Sequence, residues 1–101
     1  MNDLIKITTV RPLEDRWLRL RFSDGAVKDV DLSGVLARGG VFARVRDDRS
    51  AFEAVRVNPE TQTIEWPDDG VDLDPEVLYG RAEPSSGVEI HRRTVAEPAA
   101  A

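Results

Sequence analysis

Apolar and polar positions alternate strictly from Trp17 to Phe22, with Leu18, Leu20 and Phe22 on one side and Trp17, Arg19 and Arg21 on the other. A period of two marks a strand with one face buried and the other in water. Ser23-Asp24-Gly25 turns the chain, and residues 26–32 run back along it. The period also selects the turn. A two-residue Asp-Gly loop would set Leu20 against Asp29 and Leu18 against Asp31, which wastes the buried face. A three-residue loop pairs Phe22 with Ala26 and Leu18 with Val30. It leaves only Lys28 on the apolar side, its stem along the surface and its ammonium in water. The expected turn is therefore type I, with Gly25 in the left-handed position as a bulge. A slip of one residue would reverse every side chain, so the register is firmly specified.

The same reading extends along the chain. Residues 4–10 have the β-branched content of a strand, which Pro12 limits because proline donates nothing to a ladder. Ser33 is the expected N-cap of a short helix through Val35, Leu36 and Ala37, ended by Gly39-Gly40. Val41, Phe42 and Val45 have helical spacing, and residues 47–50 read as a turn with Phe52 packed beneath it. A second hairpin joins 53–58 to 63–66, in the one register that pairs Val57 with Ile64 and Val55 with Trp66. Its loop is Pro59-Glu60-Thr61-Gln62, with Asn58 placed as in a type I turn. Asp74 caps a helix that starts at Pro75, has Glu76 at its positive end, uses Val77 and Leu78 for core contacts and stops at Gly80. From Glu83 the composition shifts toward proline, serine, glycine and alanine. The expectation is one compact α+β domain over 1–82, antiparallel β-hairpins with short helices packed against the sheet, and a flexible tail over 83–101. Val88-Glu89-Ile90 alternates, which leaves an edge strand there as the lesser alternative.

Length and charge narrow the classes. At 101 residues with no cysteine, the chain relies on burial for stability, without disulfide or thiolate–metal support. No apolar run approaches the ~20 residues of a membrane span, and Met1-Asn2-Asp3 does not open a signal peptide, so a cytoplasmic location is expected. The net charge of −5 works against extended contact with nucleic acid, which draws affinity from displaced counterions. Basic residues are strongly biased toward arginine, twelve against two lysines. Arginine suits planar, bidentate partners, although genomic base composition produces the same bias.

Candidate chemistry is sparse. Asp68, Asp69, Asp72, Asp74 and Glu76 are oxygen ligands of the kind Ca²⁺ prefers. Aligning Gly70 with an EF-hand glycine puts Glu65 first and Pro67 third, where that loop wants Asp and Asp or Asn, so the motif fails. His91 is the single histidine, with no cysteine or second histidine to complete a zinc site. Gly39-Gly40 lacks the Lys-Ser/Thr of a phosphate loop. No catalytic residue, metal or cofactor is expected. What remains is surface: Trp17, Arg19 and Arg21 on one strand face, and the acidic turn from Trp66 through Asp68, Asp69 and Asp72 to Asp74. Trp and Arg are common interface anchors. The competing account is structural, with Trp17 covered and the arginines paired to Asp29 and Asp31 across the hairpin.

The order Leu18-x-Leu20-x-Phe22-Ser-Asp24-Gly25, Val30-Asp31-Leu32, Val41-Phe42, Phe52, Val55-x-Val57, Ile64-x-Trp66-Pro67 and Gly70-x-Asp72-Leu73-x-Pro75-x-x-Leu78-Tyr79 resembles the Domain of Unknown Function 2442 family. The likeness runs from about Ile7 to Tyr79, and its ending is the specific part. The resemblance implies a compact α+β domain in small bacterial proteins without an established activity. Some members carry a helix-turn-helix domain after this one, and many lie beside another small domain in a toxin–antitoxin-like arrangement. The residues after Tyr79 show no helical apolar period, so a DNA-reading domain is not expected there. The leading expectation is a non-enzymatic protein-interaction module, the antitoxin-like partner of a small basic protein encoded nearby. A nucleic-acid or transcriptional accessory is the alternative, and a small-molecule-binding domain or hydrolase the third. Exposed sheet edges are also compatible with a homodimer.

Overall fold

The computed structural model describes residues 4–67, 71–81 and 90–95, with the backbone alone at 71 and 72. Along the chain run β1 (Ile7–Pro12), β2 (Trp17–Phe22), β3 (Val27–Asp31), α1 (Ser33–Leu36), a 3₁₀ turn (Gly40–Phe42), α2 (Ala43–Asp47) and α3 (Arg49–Glu53). Then come β4 (Arg56–Val57), β5 (Ile64–Trp66), β6 (Val71–Asp72), α4 (Pro75–Tyr79) and β7 (His91–Thr94). A four-stranded sheet has the order β1-β2-β3-β7, and a three-stranded sheet the order β4-β5-β6, every neighbouring pair antiparallel. This is an α+β arrangement.

The first hairpin has the register that alternation requires. Leu18 faces Val30, the Phe22 N–H bonds Ala26 O at 2.9 Å, and Gly25 sits at φ +89°. Leu18, Leu20, Phe22 and Val30 are fully buried, in one core with Leu36, Val45, Phe52, Ile64, Trp66 and Leu78. Lys28 does not simply reach water. Its ammonium donates to Tyr79 O at 3.0 Å and lies 3.9 Å from the Tyr79 ring centre, so it holds the C-terminal end of α4, where exposed carbonyls attract cations. In the second hairpin Val57 faces Ile64 and Arg56 faces Glu65. Val55 is buried just before β4, its N–H bonded to Phe52 O.

Four expectations need correction. Ser33 does not cap α1; Asp31 Oδ1 instead accepts from the Ser33 N–H at 2.9 Å and hydroxyl at 2.7 Å. Residues 47–50 are not merely a turn, because Asp48 caps α3 by accepting from the Ser50 and Ala51 amides. Residues 53–55 do not extend the second hairpin: Glu53 closes α3 and β4 is only Arg56–Val57, so its ladder holds Val57–Ile64 and not the expected Val55–Trp66 pair. Most consequentially, residues 91–94 fall within the expected tail yet form a strand of the sheet. β7 pairs with β3 through Lys28–Thr94, Asp29–Arg93, Val30–Arg92 and Asp31–His91, and Ile90 is buried. The Val88-Glu89-Ile90 alternation lies mostly outside the described residues; the strand begins just after it. No helix among the described residues is long and apolar enough to cross a membrane.

Candidate binding face of the four-stranded sheet

The inner face of the large sheet carries the core, so its outer face holds the residues that alternate with Leu18 and Leu20. Register lines them up across the strands. Arg11 of β1 faces Arg19 of β2, Arg19 faces Asp29 of β3, and Asp29 faces Arg93 of β7. A parallel row runs from Trp17 to Asp31 to His91, and Arg21 lies between Thr9 and Val27. The Arg11 position depends on a bulge. Pairing skips Thr8, with Ile7 opposite Phe22 and Thr9 opposite Arg21. One extra residue reverses strand parity, so Val10 turns inward while Thr9 and Arg11 turn outward.

Asp29 is the centre of this row. Its residue is only 4% exposed, a burial a carboxylate tolerates when it is paired and hydrogen-bonded. Arg19 Nε and Nη2 donate to its two oxygens at 2.9 and 3.2 Å, a bidentate fork, and Arg93 Nη2 adds a third contact at 3.4 Å. The hydrogen bond to Asp29, then its charge, push the Arg19 guanidinium above its ordinary value. The Arg93 guanidinium also lies 4.1 Å from the Trp17 ring centre, a cation–π contact. Both structural expectations for this strand therefore hold in part: Arg19 is paired across the hairpin, and Trp17 is half-covered by β7.

Beside the row is a cleft of about 570 Å³, whose lining includes four arginines, Arg11, Arg19, Arg49 and Arg93, and three carboxylates, Glu14, Asp15 and Asp29. Its rim is the β1–β2 turn, where Asp15 has φ +53°. Arg49 holds that turn from α3, donating to Leu13 O and Asp15 O and pairing with Glu53 at 2.9 Å. Arg16 fixes the other side by donating to Arg46 O. Arg16 and Arg49 each lie 5.1 Å from the Phe52 ring centre, which ties the rim to the core. The arrangement offers guanidinium donors and an indole. Guanidinium donors suit planar anions such as carboxylates and phosphates.

Trp17 and Arg19 line this cleft, and Arg21 lies on the same face, exposed, one row away. The acidic turn fares differently. Trp66 is 1% exposed, with its indole N–H on Phe52 O at 2.9 Å, so it is a core residue and not a contact residue. Alternation is the reason: Ile64 and Trp66 point inward and Glu65 outward. Asp74 is exposed, but it caps α4 by accepting from the Glu76 N–H at 2.9 Å. Asp72 lies on β6, and Asp68 and Asp69 lie outside the described residues. Arg11, Arg49 and Arg93 join the site without having been singled out. Strict alternation from Ile7 assigns Arg11 to the apolar side, and only the bulge reverses it.

No curated protein matches the chain significantly. A solved structure, described as "Putative DNA Binding Protein NE0471 from Nitrosomonas europaea ATCC 19718", is 28% identical with a TM-score of 0.66, over 86% of this chain and 56% of that one. This chain thus spans about half the length of that protein. The residues that build both hairpins, the bulge and the capped α4 all fall within 7–84, the stretch matched by the model for the protein family of unknown function DUF2442, and the chain belongs to that family.

Proposed function

We propose that the chain is a non-enzymatic protein-interaction module, the antitoxin-like half of a bacterial two-protein system, and that it engages its partner through the outer face of the four-stranded sheet. One observation carries this reading: the row Arg11, Arg19, Asp29 and Arg93 lies beside Trp17 on a face that is open at Arg11, Arg21 and Arg93. Arg and Trp are the residue types that anchor interfaces. A net charge of −5 favours encounter with a small basic partner. The test is co-expression of the tagged chain with the product of the adjacent reading frame. A stoichiometric complex is expected, and its loss in Arg19→Glu/Arg21→Glu; no capture of the neighbour, or undiminished capture by that variant, sinks the reading.

A second reading is favoured by the description of the similar structure as a DNA-binding protein. On it, the same arginines contact phosphates and the module is a nucleic-acid accessory. Retention on DNA that falls steeply between about 50 and 200 mM salt is its signature.

A further inference from the structure

The row across the sheet is unbalanced in a particular way. Opposite-sign neighbours stabilise a cross-strand position, and like charges directly opposite destabilise it. Asp29 lies between Arg19 and Arg93 and contacts both, at 2.9 and 3.4 Å. Arg11 lies on the far side of Arg19, directly opposite it in the β1–β2 register, so two like-charged residues occupy facing positions. Arg19 gives two of its donors to Asp29, which leaves about three of a guanidinium's five N–H groups for another acceptor. Asp29 holds that guanidinium in a fixed plane. The cleft opens at this place, bounded by Arg11, Arg19, Arg93 and Trp17.

We infer that this cleft is a carboxylate socket, which takes an acidic side chain presented by the protein partner proposed above. The inference rests on that reading of the face as protein-binding and names what the face reads. A carboxylate between Arg11 and Arg19 converts the like-charged pair into an alternating row of guanidinium and carboxylate, with fork geometry on both sides. A polyphosphate chain suits the place less well. Glu14 and Asp15 stand on the rim, and the molecule as a whole is at −5, so charge favours a single anion entering locally over an extended one passing across. The partner is then basic overall, steered by net charge, and offers one carboxylate to the socket.

The experiment is an NMR titration of the full-length ¹⁵N-labelled chain with the peptide acetyl-Gly-Glu-Glu-Gly-amide, its Gln-Gln analogue, and a single-stranded dodecathymidylate. Saturable shifts of the Arg Nε–H signals of Arg11, Arg19 and Arg93 and of the Trp17 indole are expected with the Glu peptide alone. The buried Trp66 indole is the internal reference, expected to stay still. Arg11→Gln is expected to weaken the peptide at least five-fold while leaving the thermal midpoint equal or higher, since it removes the like-charge pair; a lower midpoint with unchanged binding overturns the inference. Equal shifts with the Gln peptide, or none with the Glu peptide, overturn it too. So does dodecathymidylate moving the same signals at ten-fold lower concentration. Partner capture separates the two proposals: undiminished capture by Arg11→Gln removes the socket and leaves the module, whereas peptide binding without any captured neighbour removes the two-protein reading and leaves the socket.

Discussion

Tyr79 joins three parts of the protein through one side chain. Its hydroxyl donates to Asp24 Oδ2 at 2.5 Å in the first hairpin turn, its ring meets Phe22 edge-on at 4.9 Å, and Lys28 sits 3.9 Å from the ring centre. The Tyr79 hydroxyl first, and then the Ala26 amide, hold the Asp24 carboxyl below its ordinary 3.8, while Asp24 raises the Tyr79 phenol above 10.0. The two shifts act at opposite ends of the pH scale. A lowered Asp24 contributes stability that is fully present above pH 3.8 and is lost as pH falls through its folded value. A raised Tyr79 contributes stability that is fully present below pH 10.0 and is lost as pH rises through its folded value. Thermal unfolding is therefore expected to show a larger acid loss in the wild-type chain than in Tyr79→Phe, and a larger alkaline loss than in Asp24→Asn. Equal slopes in wild type and variants would remove the contact. None of this was legible in the Ser-Asp-Gly turn, which announces a bend but not a partner 55 positions away.

The short segments owe their ends to local chemistry and their places to packing. Gly25 has no neighbour within 4 Å of an added Cβ, yet its φ is +89°. Gly25→Ala is thus a test of backbone strain alone, expected to cost about 1 kcal/mol in chemical denaturation. Asp48 provides the comparable test in α3: Asp48→Ala removes the side chain that accepts from Ser50 and Ala51, at an expected cost of about 1 kcal/mol. Capping by Asp74, Pro75 and Gly80 was readable because each acts within one helical turn, and Gly80 does adopt φ +101°. The strand β7 was not readable. His91-Arg92-Arg93-Thr94 has no apolar alternation, because its contribution is made by the backbone ladder and by long arginines. Arg92 donates to Leu78 O at 3.1 Å and Val77 O at 2.8 Å, so β7 also closes the end of α4. Ile90, 6% exposed, anchors it. Ile90→Ala is expected to destabilise by about 2–4 kcal/mol in urea unfolding; a change below about 0.5 kcal/mol, typical of surface positions, would restore the picture of a loose tail.

One core holds both sheets and the helices. Residues as distant in sequence as Ile5, Phe52, Trp66 and Ile90 share it, and the Ile5 N–H also bonds Glu76 Oε2 at 2.7 Å. With a core so shared, protection from hydrogen exchange is expected to be greatest in the paired amides of β2, flanked on both sides, and lowest in β7 at the sheet edge. Equal protection in β7 and β2 would contradict that gradient.

The alternation of residues 17–32 determined by itself the first hairpin, its turn and its buried face, because a period of two leaves a single register that keeps carboxylates off the core. The spacing of Asp74, Pro75 and Gly80 likewise determined α4. Tertiary structure alone decided that β7 lies beside β3, that a bulge at Thr8 turns Arg11 outward, and that Arg93 half-covers Trp17. Periodicity reports which side of a strand is apolar. Which strands become neighbours, and hence which arginines meet, follows from packing between residues as distant as Asp29 and Arg93, 64 positions apart, and no local pattern carries that information.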